Sequence, residues 1–141
     1  MLLPPKGKIL GVDYGLRRIG LAMTDVDRTM VFPRPILQVT SREQVFGDLN
    51  KLCHEDGVVG VALGLPYDDA HVENEQTQKV RAYGEDLSRF LALPVFYEDE
   101  KYTTAEAEAM MDQYGFDYKE KKTQRDSIAA MLILQSYLSK V

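Results

Sequence analysis

The sequence predicts an α/β fold, a central mixed sheet covered by helices, and three observations carry that expectation. Near the N-terminus, KILGVDYGLRRIGLAM holds two strand-like runs joined through a polar, glycine-flanked turn. Further on, VVGVALGL is a continuous apolar run with β-branched residues, the pattern of a strand buried on both faces. At the C-terminal end, RDSIAAMLILQSYL is apolar almost all round, which is expected of a buried helix. A chain of 141 residues buries one full core, so a single domain over residues 1–141 is the default.

Taken in order, Ile9 to Tyr14 and Ile19 to Asp25 predict an antiparallel hairpin about Gly15-Leu16-Arg17-Arg18. A third strand lies within Met30 to Val39, where Pro33 and Pro35 confine it to an edge. Thr40 and Glu43 have capping-box spacing, and Val45, Leu49, Leu52 and Cys53 form a helical stripe that Gly57 ends. The buried strand Val58 to Leu65 stops at Pro66. A polar stretch from Tyr67 leads to a second helix, with Val80, Tyr83, Leu87, Phe90 and Leu91 at the 3.6 period. Pro94 to Tyr97 is a short strand. Thr103 with Glu106 predicts another capping box, opening a third helix with Ala107, Met110, Met111 and Tyr114 that ends at Gly115. The basic stretch YKEKKTQR then leads into the final helix, Asp126 to Leu138. Three opening strands form a meander, and the later strands, alternating with helices, pair in parallel.

Composition narrows the function classes. Hydrophobic residues at 45% and charged residues at 28% are ordinary for a globular protein. A net charge of -5, from 17 basic and 22 acidic residues, argues against a bulk electrostatic nucleic-acid binder and leaves room for a local basic patch. The single Cys53 excludes an internal disulfide and a thiolate metal cluster. No apolar run reaches the roughly 18 residues of a membrane span, so a cytoplasmic protein is expected. Walker A and dinucleotide-binding glycine patterns are absent.

Ligands of such sheets lie beyond the carboxyl ends of the strands, which draws attention to acids there. Asp13 closes the first strand, Glu98, Asp99 and Glu100 follow the short strand, and Asp126 opens the last helix on the face of Ala129, Ala130 and Ile133. Carboxylates that converge repel one another unless a cation neutralises them. An oxygen-only set favours Mg²⁺ or Mn²⁺, and two such ions about 3.5–4 Å apart hydrolyse phosphodiesters. Each acid also has an ordinary structural reading. Asp13 fits a turn aspartate, Asp126 a first-turn helix acid, and residues 98–100 a solvated charge run.

His54 and His71 lack a zinc-like spacing, and Cys53 lies on an apolar stripe. Arg17 and Arg18 flank the turn beside Asp13, while Lys119, Lys121, Lys122 and Arg125 precede Asp126. Both groups are candidate phosphate contacts, against the plainer reading of solvated loops.

The segments GVDYGLRRIGLAMTD, VALGLP, DEKYTTAEAEAM and RDSIAAMLILQSYL, in this order, resemble the YqgF/RuvX family of bacterial ribonuclease H-like nucleases. The resemblance runs from about residue 8 to residue 138. It implies a ribonuclease H-like fold with a five-stranded mixed sheet in the order 3-2-1-4-5, strand 2 antiparallel. It also implies three metal-binding, catalytic carboxylates, which by motif are Asp13, Glu100 and Asp126, so that the resemblance alone selects Glu100 among its neighbours. The implied activity is a two-metal nuclease maturing the 5′ end of precursor 16S ribosomal RNA, with Mg²⁺ or Mn²⁺ as cofactors. The implied alternative is a Holliday-junction resolvase acting on branched DNA, which a homodimer would suit.

Two departures stand out. Lys101 replaces a common arginine, keeping the charge and losing a bidentate fork for phosphate. The loop after Pro66 reads YDDAHVENEQT instead of an asparagine- and glycine-containing turn. Two further readings remain: a phosphate-binding hairpin of the sugar-kinase and actin type, which needs a second domain, and a non-catalytic nucleic-acid-binding relative, against which the three matched acids speak.

Overall fold

In the computed structural model, residues 3–66, 72–99, 104–123 and 125–141 are described, with the side chains of 104, 122 and 123 left aside. The elements are β1 (Lys8–Asp13), β2 (Arg18–Thr24), β3 (Val31–Gln38), α1 (Arg42–Asp56), β4 (Val58–Leu65), α2 (Glu75–Leu91), β5 (Val95–Asp99), α3 (Thr104–Gln113), α4 (Tyr118–Thr123) and α5 (Arg125–Leu138). They form one five-stranded sheet in the order β3-β2-β1-β4-β5. β2 is antiparallel to both β1 and β3, whereas β4 is parallel to both β1 and β5. This is the order the family resemblance implies.

The proline-bearing β3 does sit at a sheet edge, where a missing N–H leaves no gap in an inner ladder. The cap of α1 is shifted by one residue from the expected Thr40. Ser41 accepts from the Gln44 N–H while the Gln44 side chain accepts from the Ser41 N–H, and Gly57 ends the helix in the left-handed conformation with φ 67°. Asn74 and Thr77 cap α2 in the same reciprocal way. The Thr103 of the third expected capping box falls outside the described residues. The basic stretch carries a short helix, α4, that periodicity did not reveal.

Because side chains alternate along a strand, the sheet has two different faces. On one, Leu10 and Val12 of β1, Ile19 and Leu21 of β2, and Val61 and Leu63 of β4 meet Val45, Phe46 and Leu49 of α1 and Val80 and Leu87 of α2. On the other, α5 lies across β1, β2 and β3, with α3 beside it. Beside larger residues such as Ile9 and Val31, the strands on that face carry small ones, Gly11, Gly20, Ala22 and Ala62. A Cβ at Gly11 would lie 2.8 Å from the Ala130 carbonyl oxygen of α5. Small residues let the helix backbone, as well as side chains such as Leu134, rest on the sheet.

Candidate functional site

Asp13 is the last residue of β1 and pairs with Gly20 of β2. By alternation with Ile9 and Gly11 its side chain faces the α5 layer. Gly20 occupies the same face of the neighbouring strand, and a Cβ there would stand 2.0 Å from the carbonyl oxygen of Asp126. The first turn of α5 therefore touches the sheet directly beside Asp13. A second contact fixes this turn, since the buried Ser127 hydroxyl donates to the Arg34 carbonyl of β3 at 2.7 Å. Asp13 and Asp126, from opposite ends of the chain, thus come to one place, both half-buried.

Asp13 is also braced from behind. Tyr14 turns to the opposite face, where its ring lies 4.5 Å from that of Tyr83. Tyr83 in turn meets the Phe46 ring edge-on at 5.3 Å and carries the Arg42 guanidinium 5.1 Å above its centroid. Burial, reinforced by the neighbouring Tyr14, pushes the Tyr83 phenol up to about 12. This brace was not anticipated, although Tyr14 continues the alternation of Leu10 and Val12.

The parallel strands bring the end of β5 to the same edge, with Leu65 of β4 level with Asp99. Of the three neighbouring acids, Glu98 departs from the expected solvated run: it is 4% exposed. Its carboxylate accepts from the Ser136 hydroxyl and from the Lys140 ammonium, each at 2.8 Å, and so clamps α5 to β5. The alternation from Phe96, which packs on the α5 side, is the signal for this inward direction. Glu100, Lys101 and His71 lie outside the described residues.

Among the described residues no group of three His, Cys, Asp or Glu side chains gathers closely enough to hold a metal ion. Asp13 and Asp126, whose backbones adjoin at Gly20, carry oxygen donors of the kind a hard divalent cation takes, and Glu100 follows β5 directly in sequence. Soft donors belong elsewhere. Cys53 is buried in the α1 layer, where desolvation, with the Asp56 charge adding to it, pushes its thiol up to about 11. His54 lies in the last turn of α1.

The basic candidates divide. Arg18 lies on the Gly20 face of β2 and places Nε 3.4 Å from Asp126 Oδ2. Arg125 opens α5 and is exposed, and the exposed Arg17 sits in the β1–β2 turn, where its carbonyl accepts the Val39 N–H at 2.9 Å. Lys119 is exposed on α4. Lys121 instead ties α4 to α3, with Nζ 2.6 Å from Asp112 and 3.3 Å from Glu108, and these bonds raise its pKa. The Lys122 side chain is outside the described set.

With this geometry in view, the comparisons with known proteins decide the family. The model of the RuvX family, described as Holliday junction resolvase, matches residues 7–140. The chain belongs to the RuvX family. A protein from Maridesulfovibrio salexigens, provisionally named a pre-16S rRNA nuclease, is 30% identical over 94% of this chain and 98% of its own length. One from Rickettsia canadensis with the same provisional name is 29% identical over 99% of this chain and 91% of its own. Among solved structures, Thermus thermophilus RuvC aligns with a TM-score of 0.64 at 12% identity, over 94% of this chain and 96% of that one. The fowlpox virus Holliday junction resolvase aligns at 0.59 and 16% identity, over 94% and 98%. The RuvX sheet is thus a ribonuclease H-like one, shared with these resolvases. No helix among the described residues is long and apolar enough to cross a membrane.

Proposed function

We propose that this chain is a single-domain, divalent-metal-dependent nuclease of the cytoplasm that hydrolyses phosphodiester bonds, with Asp13, Glu100 and Asp126 as its metal-binding, catalytic carboxylates. The observation that carries this reading is the contact at Gly20, which sets the first turn of α5 against β2 opposite Asp13. Two Mg²⁺ or Mn²⁺ ions would supply a hydroxide nucleophile and neutralise the leaving oxygen. The chain's own part is to hold and orient. Asp13 is fixed by β1 pairing and the tyrosine brace, and Asp126 by Gly20 and the Ser127 bond. Arg17, Arg18, Lys101, Lys119, Lys122 and Arg125 bind the phosphates of a nucleic acid, and Lys121 serves them by bracing α4 against α3.

The substrate is the 5′ end of precursor 16S ribosomal RNA, a reading supported by the names of the curated relatives. Branched DNA is the second reading, supported by the likeness to Thermus thermophilus RuvC in complex with a Holliday junction substrate, at a TM-score of 0.61. A symmetric junction would call for a homodimer.

The test incubates labelled precursor RNA and a four-way DNA junction with wild type and Asp13→Asn in Mg²⁺, Mn²⁺ or EDTA. Asp13→Asn and EDTA each lower cleavage on the order of a thousandfold with the fold retained by circular dichroism. Cleavage that persists in either condition overturns the metal mechanism, and cutting of the junction but never of RNA reverses the choice of substrate.

A further inference from the structure

Two ion pairs bind carboxylates on the α5 side of the sheet, and they differ. At Glu98 the acid is buried and the Lys140 ammonium sits at 2.8 Å, the length of a charge-assisted hydrogen bond. At Asp126 the Arg18 Nε stands at 3.4 Å, and the two side chains are 59% and 37% exposed. Both cations are more than half exposed, so the pairs differ in distance and in the burial of the acid: the first holds a carboxylate shut away from water, the second is longer, solvated and weak. Yet the second lies where a cation is most needed. The backbone of Asp126 lies against β2 beside Asp13, with its carbonyl where a Cβ at Gly20 would stand, and the Ser127 hydrogen bond to β3 holds this turn in place. Two half-buried carboxylates on adjoining backbone favour a cation nearby.

We propose that Arg18 is the exchangeable counter-cation of this site: it occupies Asp126 while the protein is metal-free, yields the carboxylate to a divalent cation, and is thereby released to bind a substrate phosphate. The proposal rests on the metal-dependent reading above. Three features suit Arg18 to the exchange. It is the first residue of β2 on the face of Gly20, so its Cα is fixed beside the acids. Its long side chain is more than half exposed, so departure from Asp126 uncovers no apolar surface. A guanidinium presents a planar fork of donors that matches phosphate oxygens, which an ammonium does not. Arg18 therefore opposes metal binding and favours substrate binding, and the two effects separate experimentally.

Mn²⁺ is titrated into the metal-free protein while free Mn²⁺ is followed by electron paramagnetic resonance, for wild type, Arg18→Gln and Arg89→Gln. Arg89 pairs with Asp86 on α2 and controls for the loss of one positive charge. Arg18→Gln binds Mn²⁺ about three- to tenfold more tightly than wild type, while Arg89→Gln stays within about twofold. Equal or weaker binding by a folded Arg18→Gln overturns the exchange and leaves the metal site standing. Absence of Mn²⁺ binding in wild type and both variants overturns the metal-dependent reading and the exchange together. A second measurement needs no variant: the Arg18 Nε–H resonance of ¹⁵N-labelled wild type exchanges faster with water once Mg²⁺ is added, and a rate unchanged at saturating Mg²⁺ overturns the proposal.

Discussion

The two faces of the sheet bury helices by different means. Against α1 and α2 the strands present Leu10, Val12, Ile19, Leu21 and Leu63, large side chains that interlock with those of the helices. Against α5 the strands present Gly11, Gly20 and Ala22, and the helix backbone comes into contact. A side-chain layer tolerates swaps of similar volume, because neighbouring rotamers absorb small changes. A backbone contact has no such slack. The fold places Asp13 and Asp126 at the second kind of face, where main-chain atoms of α5 and β2 meet.

Gly20→Ala breaks the comparison most severely. The added Cβ meets a backbone carbonyl 2.0 Å away, so α5 must lift at its first turn. An ångström of misplacement lowers nuclease activity by about a hundredfold, and overpacking costs about 2 kcal/mol of stability, read by substrate cleavage and urea unfolding. Activity close to wild type in this variant would show that the contact does not set the site.

Leu49→Ala is the counterpart on the other face. Leu49 is fully buried in the α1 layer, so its truncation costs about 3 kcal/mol in urea unfolding. Turnover of the folded fraction stays within about twofold of wild type, because the ring contacts behind Asp13 reach α1 at Phe46 and Arg42. A loss of activity comparable to that of Gly20→Ala would erase the distinction between the faces.

A smaller effect sharpens the picture of the α1 layer. Burial favours the neutral Cys53 thiol, which titrates at about 11 in the folded chain against an ordinary value of 9.0. The unfolded chain releases this proton first as pH rises, so the associated stability is complete below pH 9 and is lost between pH 9 and about 11. Unfolding free energies measured across that range fall less steeply in Cys53→Ala than in wild type. In the native protein at pH 8 the thiol resists alkylation, and urea exposes it.

Much of this was legible in the sequence because the signals are local. The strand-like runs on either side of the glycine-flanked turn, the prolines of β3 and the unbroken apolar run of β4 each specify a strand, and the order of elements specifies the mixed sheet. Asp13 and Asp126 were marked by their places at a strand end and a helix start. What local pattern did not reveal depends on approach between distant segments. Gly20 reads as an unremarkable strand glycine until α5 rests on it, although small residues at Gly20 and Ala22, two apart, are the trace such a contact leaves. Glu98 reads as part of a charge run until Lys140 and Ser136 meet it from α5. Lys121 reads as part of a phosphate-binding patch, and the acids that engage it are on another helix. Thr40 and Ser41 both suit a cap, and the Gln44 side chain made the choice. The selection of Glu100 came from the family resemblance, since three acids, Glu98, Asp99 and Glu100, stand there in succession.

The claim on which the account depends is that Asp13 and Asp126 share a cation with Glu100. Diffraction from crystals soaked in Mn²⁺, collected at a wavelength where manganese scatters anomalously, tests it directly. The account predicts an anomalous peak bonded to carboxylate oxygens of Asp13 and Asp126, with Glu100 completing the set, and its disappearance in Asp13→Asn. Manganese bound elsewhere on the chain, or an Asp13→Asn crystal that keeps the same peak, would contradict it.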